Sequence, residues 1–259
     1  MPQQPLAQIH PNAIIAPDVE IGPFVFIDKN VEIGAGTKIG SNVTILEGTR
    51  IGEKCNIFPG AVLGGIPQDL KFSGEESLAI IGNNTTIREF VTVNRGTVAK
   101  GKTVVGNNCL IMAYSHVAHD CIVGNNVIIA NASQLGGEVE VDDFAILGGG
   151  TLAHQFSKIG AHAMVQGGTK VTKDVPPYAI AGREPLTYAG VNSVGLRRRG
   201  FSNEQITVIQ DIYRIVFQSK LNTTNALAKI LETIPATPER DLIVEFIKSS
   251  DRGIIKGFA

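Results

Sequence analysis

Aliphatic residues recur along the first two thirds of the chain with a period of six. Ile9, Ile15, Ile21, Ile27, Ile33, Ile39, Ile45, Ile51, Ile57 and Leu63 keep one phase without a break. Ile81, Ile87 and Val93 resume it, as do Val105, Ile111, Val117, Val123, Ile129, Leu135, Val141 and Leu147. Ala153 is a weak slot, and Ile159, Val165 and Val171 close the series. A helix repeats every ~3.6 residues and a strand every ~2, so neither explains this period.

The other slots follow the same beat. Four residues after the aliphatic comes a small or β-branched residue, such as Val25, Val43, Cys55, Ala61, Cys121 or Ala145. The residue directly after it is often glycine, as at Gly22, Gly34, Gly52 and Gly124. The Asn pairs 83–84, 107–108 and 125–126 follow glycine, where a left-handed backbone is favoured. The pattern predicts an all-β left-handed parallel β-helix of triangular section. Each hexad supplies one short strand and one corner, and three hexads close a coil. Coils stack at about 4.8 Å, so each can bury its apolar face only against its neighbours.

Residues 66–79 and 98–104 break the phase and must loop outward. Such loops often carry binding residues. The hexads end at Asp174-Val175-Pro176-Pro177, and a helical pattern follows. Ser202 with Gln205 forms a capping box ahead of Ile206, Ile209, Ile212 and Tyr213. A second helix is expected from Thr224 to about Ile234, and a third from the Thr237-Pro238 cap. The expected division is a β-helix domain over 1–185 and a helical domain over 186–259, the latter covering the open end of the solenoid.

Composition narrows the possible functions. With 23 basic and 24 acidic residues the chain lacks the global positive field of a nucleic-acid binder. No apolar run is long enough to span a bilayer, and the MPQQPLAQIHP start lacks the regions of a signal peptide. A cytoplasmic protein without membrane insertion is expected. Cys55, Cys109 and Cys121 all fall in the small inward slot and read as core fillers.

His10 lies in the first hexad, and His162 falls at a corner and reads as structural or exposed. His116, His119 and His154 fall near one edge, which packing alone explains poorly, although corner residues satisfied by neighbours remain the alternative. His119 precedes Asp120, the pairing of a general base with the carboxylate that orients it. Gly136-Gly137, one coil later, offers N–H groups to a developing oxyanion. No Ser or Cys stands as a nucleophile, so direct attack by a substrate hydroxyl or amine on an acyl donor is the natural chemistry. A zinc site of the hexapeptide carbonic anhydrase kind is the competing use of a histidine cluster, but two residues separate His116 and His119 where those enzymes have more.

The segments QDLKFSGE (68–75), VNRGT (93–97), SHVAHDC (115–121), DDFAILGG (142–149), HQFSKIGAH (154–162), DVPPY (174–178) and GLRRRGF (195–201) together resemble the acyl-[acyl-carrier-protein]–UDP-N-acetylglucosamine O-acyltransferases, across essentially the whole chain. The resemblance implies the first step of lipid A biosynthesis: transfer of a 3-hydroxyacyl chain from acyl carrier protein to the 3-hydroxyl of UDP-N-acetylglucosamine. It implies His119 as base, Asp120 as its partner and Gly137 as oxyanion donor. It also implies substrate contacts at Gln68, Asp69, Lys71, His116, His154 and Gln155. Asn192, Arg198 and Arg199 match the nucleotide-binding group; without the resemblance, Arg197-Arg198-Arg199 would read as a solvated cluster before a helix. Gly167 matches the end of an acyl-length ruler, where glycine leaves the groove open to a long chain. No metal and no bound cofactor are implied, because the acyl group arrives on the phosphopantetheine of the carrier protein. A homotrimer with sites between subunits is implied as well. The sequence departs from the family pattern at Glu138, Asn94 and Val194, where His, His and Glu are usual. A coenzyme-A-dependent sugar acetyltransferase and a non-enzymatic scaffold are the alternatives.

Overall fold

The computed structural model describes residues 6–257, so the first residues of the MPQQPLAQIHP stretch lie outside the described residues. The hexads form the expected left-handed parallel β-helix, with three flat sheets meeting at three corners. Face one carries strands such as His116–Val117, face two Ile122–Val123, and face three Ile128–Ile129. The first, second and third corners follow these faces in order. Coils pair in parallel register, Ile9 with Ile27 and Ile27 with Ile45. Phe26 N–H donates to the Val43 carbonyl at 3.0 Å, and the same rung recurs along the solenoid.

Burial explains the periodicity. The aliphatic slots Ile27, Ile45, Leu63, Ile111 and Leu147 are fully buried, as are the small slots Cys55, Ala61, Cys121 and Ala145. The residue before each aliphatic faces outward, as Glu20, Glu32 and Lys38 do. The third residue after it holds a left-handed backbone: Asn84, Asn108 and Asn126 as expected, but equally Phe24, Phe90 and Asp120. Coil-to-coil approach is close enough that a Cβ on Gly34 would stand 2.7 Å from the Gly52 carbonyl carbon, which accounts for the glycine slot.

Both ejected loops are shorter than their phase breaks. Strand Leu78–Ile81 begins inside the first and strand Lys102–Val105 inside the second, because Leu78 pairs with Lys102 and Ala79 with both Thr49 and Thr103. The projecting parts are 66–77 and 97–101.

The end of the solenoid is more elaborate than the helical pattern foretold. A hairpin of Ala179–Gly182 and Thr187–Val191 extends face three and crosses the expected 185/186 boundary. Four helices follow among the described residues: α1 (Ser193–Arg198), α2 (Asn203–Gln218), α3 (Thr223–Thr233) and α4 (Pro238–Lys248). Ser202 and Gln205 form the capping box, and Thr237 caps α4 ahead of Pro238. Leu196, Ile209, Ile212, Ile230 and Ile243 make a second core. Tyr188 and Phe217 pack against both cores, and Ile255 returns to bond Asp174 beneath the last coil. No helix among the described residues is long and apolar enough to cross a membrane.

Candidate active site

His119, Gly137 and Gln155 occupy the same slot of consecutive coils at the first corner, so they stack in one column about 4.8 Å apart. His119 Nδ1 lies 2.8 Å from Asp120 Oδ2. Asp120 is 0% exposed, yet all of its acceptor capacity is used. Oδ1 accepts from Thr97 N–H at 2.9 Å and Lys100 N–H at 3.2 Å, and Oδ2 accepts from the Thr97 hydroxyl at 2.7 Å. Burial alone would push the carboxyl up, but the hydrogen bonds from His119, Thr97 and Lys100 outweigh it and hold the group below its ordinary range. Because an ionised Asp120 can only accept, Nδ1 must carry the imidazole proton. That leaves the Nε2 lone pair with no partner among the described residues.

Gly137 is the floor of this arrangement. A Cβ there would lie 2.6 Å from both Cε1 and Nε2 of His119, so only glycine lets the ring sit as it does. Its N–H has no acceptor among the described residues. At the second corner the same slot is closed: the N–H groups of Glu53, Asn83, Asn107 and Asn125 each donate to the side-chain Oδ1 of the Asn or Asp one coil above, at 2.7–2.9 Å. The first corner thus combines an open base and an open donor. Such a pair suits proton removal from a nucleophile and stabilisation of an oxyanion.

The remaining expected residues are distributed as follows. His154 and Gln155 are exposed at the first corner, with His154 Nδ1 3.0 Å from the Gln155 carbonyl. His116 lies on face one, 2.7 Å from the Thr92 hydroxyl; burial, then the charge of His119, lowers its pKa. Gln68 and Lys71 are exposed on the first loop, where Asp69 Oδ1 accepts from Lys71 N–H at 2.9 Å. That loop touches the second through Glu75, which accepts from Val98 N–H at 3.1 Å. Of the departures, Asn94 is buried and donates to the Ile66 carbonyl at 2.7 Å, anchoring the first loop, while Glu138 donates its N–H to the His119 carbonyl and Val194 is exposed.

The arginines are not at this corner. Arg199 stands 5.3 Å over Phe144 at the second corner, beside His162, which stacks between Phe144 and Tyr178. Asn192 caps α1 by accepting from Gly195 N–H and donates to the His162 carbonyl. Arg198 is exposed next to them. Gly167 lies at the third corner, above Gly149. The chain therefore places the expected base, nucleotide group and ruler on three different corners. Thr97 and Lys100, which hold Asp120, were not singled out by the sequence; the phase break and the VNRGT motif were the available signals. Among the described residues no three His, Cys, Asp or Glu side chains converge as a metal site.

A family model described as domain 2 of UDP N-acetylglucosamine O-acyltransferase matches residues 174–255, and a bacterial transferase hexapeptide model matches 102–137. A model described as the GMPPB C-terminal domain matches 4–107 and stops short of His119. An acyl-[acyl-carrier-protein]–UDP-N-acetylglucosamine O-acyltransferase of Myxococcus xanthus is 47% identical, over 97% of this chain and 100% of its own. The enzyme of that name from Trichlorobacter lovleyi is 49% identical over 97% and 98%. The chain belongs to this family. A solved UDP-N-acetylglucosamine acyltransferase from Bacteroides fragilis superposes on the acyltransferase with a TM-score of 0.96 and 57% identity, covering 97% of this chain and 99% of that one. A second, from Acinetobacter baumannii, gives 0.94 and 42%, covering 97% and 98%. The protein is accordingly an acyltransferase of lipid A biosynthesis.

Proposed function

We propose that the first corner catalyses transfer of a long 3-hydroxyacyl chain from acyl carrier protein to the 3-hydroxyl of UDP-N-acetylglucosamine. The observation that carries this reading is the 2.8 Å bond from His119 Nδ1 to a buried Asp120, with the ring packed against Gly137 and with neither Nε2 nor the Gly137 N–H bonded among the described residues. His119 Nε2 takes the hydroxyl proton as the oxygen attacks the thioester carbonyl. Gly137 N–H meets the oxyanion. Collapse expels the phosphopantetheine thiolate, and His119 returns the proton to it. The step needs no covalent enzyme intermediate and no cofactor besides the arm carried by the donor protein.

Asp69, Lys71, His116, His154 and Gln155 contact substrate, and Asn192, Arg198 and Arg199 serve the nucleotide. Arg198 and Arg199 suit phosphate through their forked donors. A homotrimer is the assembly that reconciles these roles. The His119, Arg199 and Gly167 corners point away from one another within one chain, and they can share a substrate only where chains meet. A carrier-protein donor places the reaction in the cytoplasm.

The test is incubation of the purified protein with UDP-N-acetylglucosamine and a panel of 3-hydroxyacyl carrier proteins, with product mass as the readout. Acylated nucleotide sugar is expected, and His119→Ala should lower turnover by about 10²-fold or more. Turnover with acetyl-CoA and none with the carrier proteins would overturn the donor assignment.

A further inference from the structure

We propose that Thr97 is a positioning residue for the transfer step, holding Asp120 as an ionised acceptor through both its hydroxyl and its N–H and so fixing the tautomer of His119. The inference rests on His119 being the base.

The corner slot of Asp120 varies in exposure from coil to coil, being buried at Gly48, Gly96 and Asp174 and open where nothing covers it. Asn30 and Phe156 occupy the same slot of the first corner in other coils, and both are exposed. Asp120 is buried because the loop 97–101 folds over it, and Thr97, the first residue of that loop, is itself only 6% exposed. Covering a carboxylate costs several kcal/mol unless donors replace water. The loop supplies three: Thr97 N–H, the Thr97 hydroxyl and Lys100 N–H. His119 supplies the fourth. The Thr97 hydroxyl oxygen accepts from Ala99 N–H at 3.2 Å, which leaves its proton for Asp120. From the other side, Asp120 N–H donates to the Thr103 hydroxyl at 2.8 Å, so the corner backbone is pinned too.

Every partner of the carboxylate is thus a donor, and a protonated Asp120 would set its O–H against donors. The other ionisable groups nearby do not replace Thr97. Lys100 contributes its N–H, while its ammonium is engaged with Glu140 at 3.0 Å. Burial pushes the neighbouring Cys121 thiol up to about 12, so it stays neutral. His116 faces the pair through His119, and burial keeps it toward its neutral form.

The experiment compares wild type with Thr97→Val, Thr97→Ser and His119→Ala, reading kcat and KM for the nucleotide sugar across pH, together with Tm. Val keeps the shape and the N–H but lacks the hydroxyl proton. Thr97→Val should lower kcat about tenfold with KM for the sugar unchanged. With one donor gone the carboxylate is less stabilised, so the acid limb of kcat should move to higher pH. Thr97→Ser should restore both. A Thr97→Val enzyme with wild-type kcat and acid limb overturns the proposal. So does a fall in kcat that tracks a loss of Tm, leaves the acid limb in place and persists in Thr97→Ser. Near-normal turnover in His119→Ala would instead remove the base assignment on which the proposal stands.

Discussion

Gly137 and His119 face each other across one rung of the solenoid, and a methyl group on Gly137 would overlap Cε1 and Nε2 of the imidazole at 2.6 Å. One glycine therefore does two jobs. It gives the ring its place, and it presents an N–H that has no acceptor among the described residues.

Gly137→Ala should accordingly cut turnover by about 10²-fold or more, because the base is pushed off its line while the donor beside it shifts. The fold should survive, since Gly137 lies at a half-buried corner outside the core. Steady-state kinetics with a parallel melting curve checks this, and wild-type turnover would refute it.

The column at the second corner predicts a pH dependence of stability. His162 stacks 4.8 Å from Phe144 and 5.5 Å from Tyr178, and its Nδ1 is buried without a partner. Burial, then the charge of Arg199, lowers its pKa from 6.5 to about 4. The unfolded chain therefore takes up a proton near pH 6.5 that the folded chain refuses until about pH 4. The associated stability is present above that window and is lost as pH falls through it. His162→Phe keeps the stack and removes the titration, so its Tm should decline less than that of wild type over this range. Parallel Tm curves for the two proteins would contradict the account.

Gly167 predicts donor length. A Cβ at this position would come closest to the Gly149 carbonyl oxygen, at 3.1 Å, with the Gly149 nitrogen at 3.6 Å, so Gly167→Met needs a small adjustment and then fills the third corner. In competition assays the wild type should prefer donors of roughly fourteen carbons or more, and the variant shorter ones, each methylene in an apolar groove being worth a modest factor. A wild-type preference for ten carbons, or an unchanged preference in Gly167→Met, would sink the ruler.

Much of this was legible in the chain. The coils were, because each aliphatic slot answers to the same local rule as the one six residues before it. The pairing of His119 with Asp120 was, because the two are adjacent. The cradle of Asp120 was not. Its donors come from Thr97 and Lys100, 23 and 20 residues upstream, and only the winding of the coil brings them together. The hairpin 179–191 and α1 were missed for a related reason. α1 buries little besides Leu196, so it has almost no apolar period, and its Asn192 cap is visible only once the hairpin has delivered it. The placement of His119 and Gly167 on different corners follows from counting hexads by threes, and it was hidden as long as the motifs were read in linear order; Arg199 lies beyond the hexads and reaches the second corner from the end of α1.

The cradle also answers a problem that any uniform solenoid has while it folds. A chain of near-identical hexads can stack one rung out of place and still set isoleucine on isoleucine, so the core alone discriminates weakly between alignments. Asp120 does not allow that freedom. Slipped by a coil, it would lose the donors of Thr97 and Lys100, and those donors would close over some other corner. The chemistry of the site thereby acts as a register lock, marking one rung as unlike the rest and numbering the others from it.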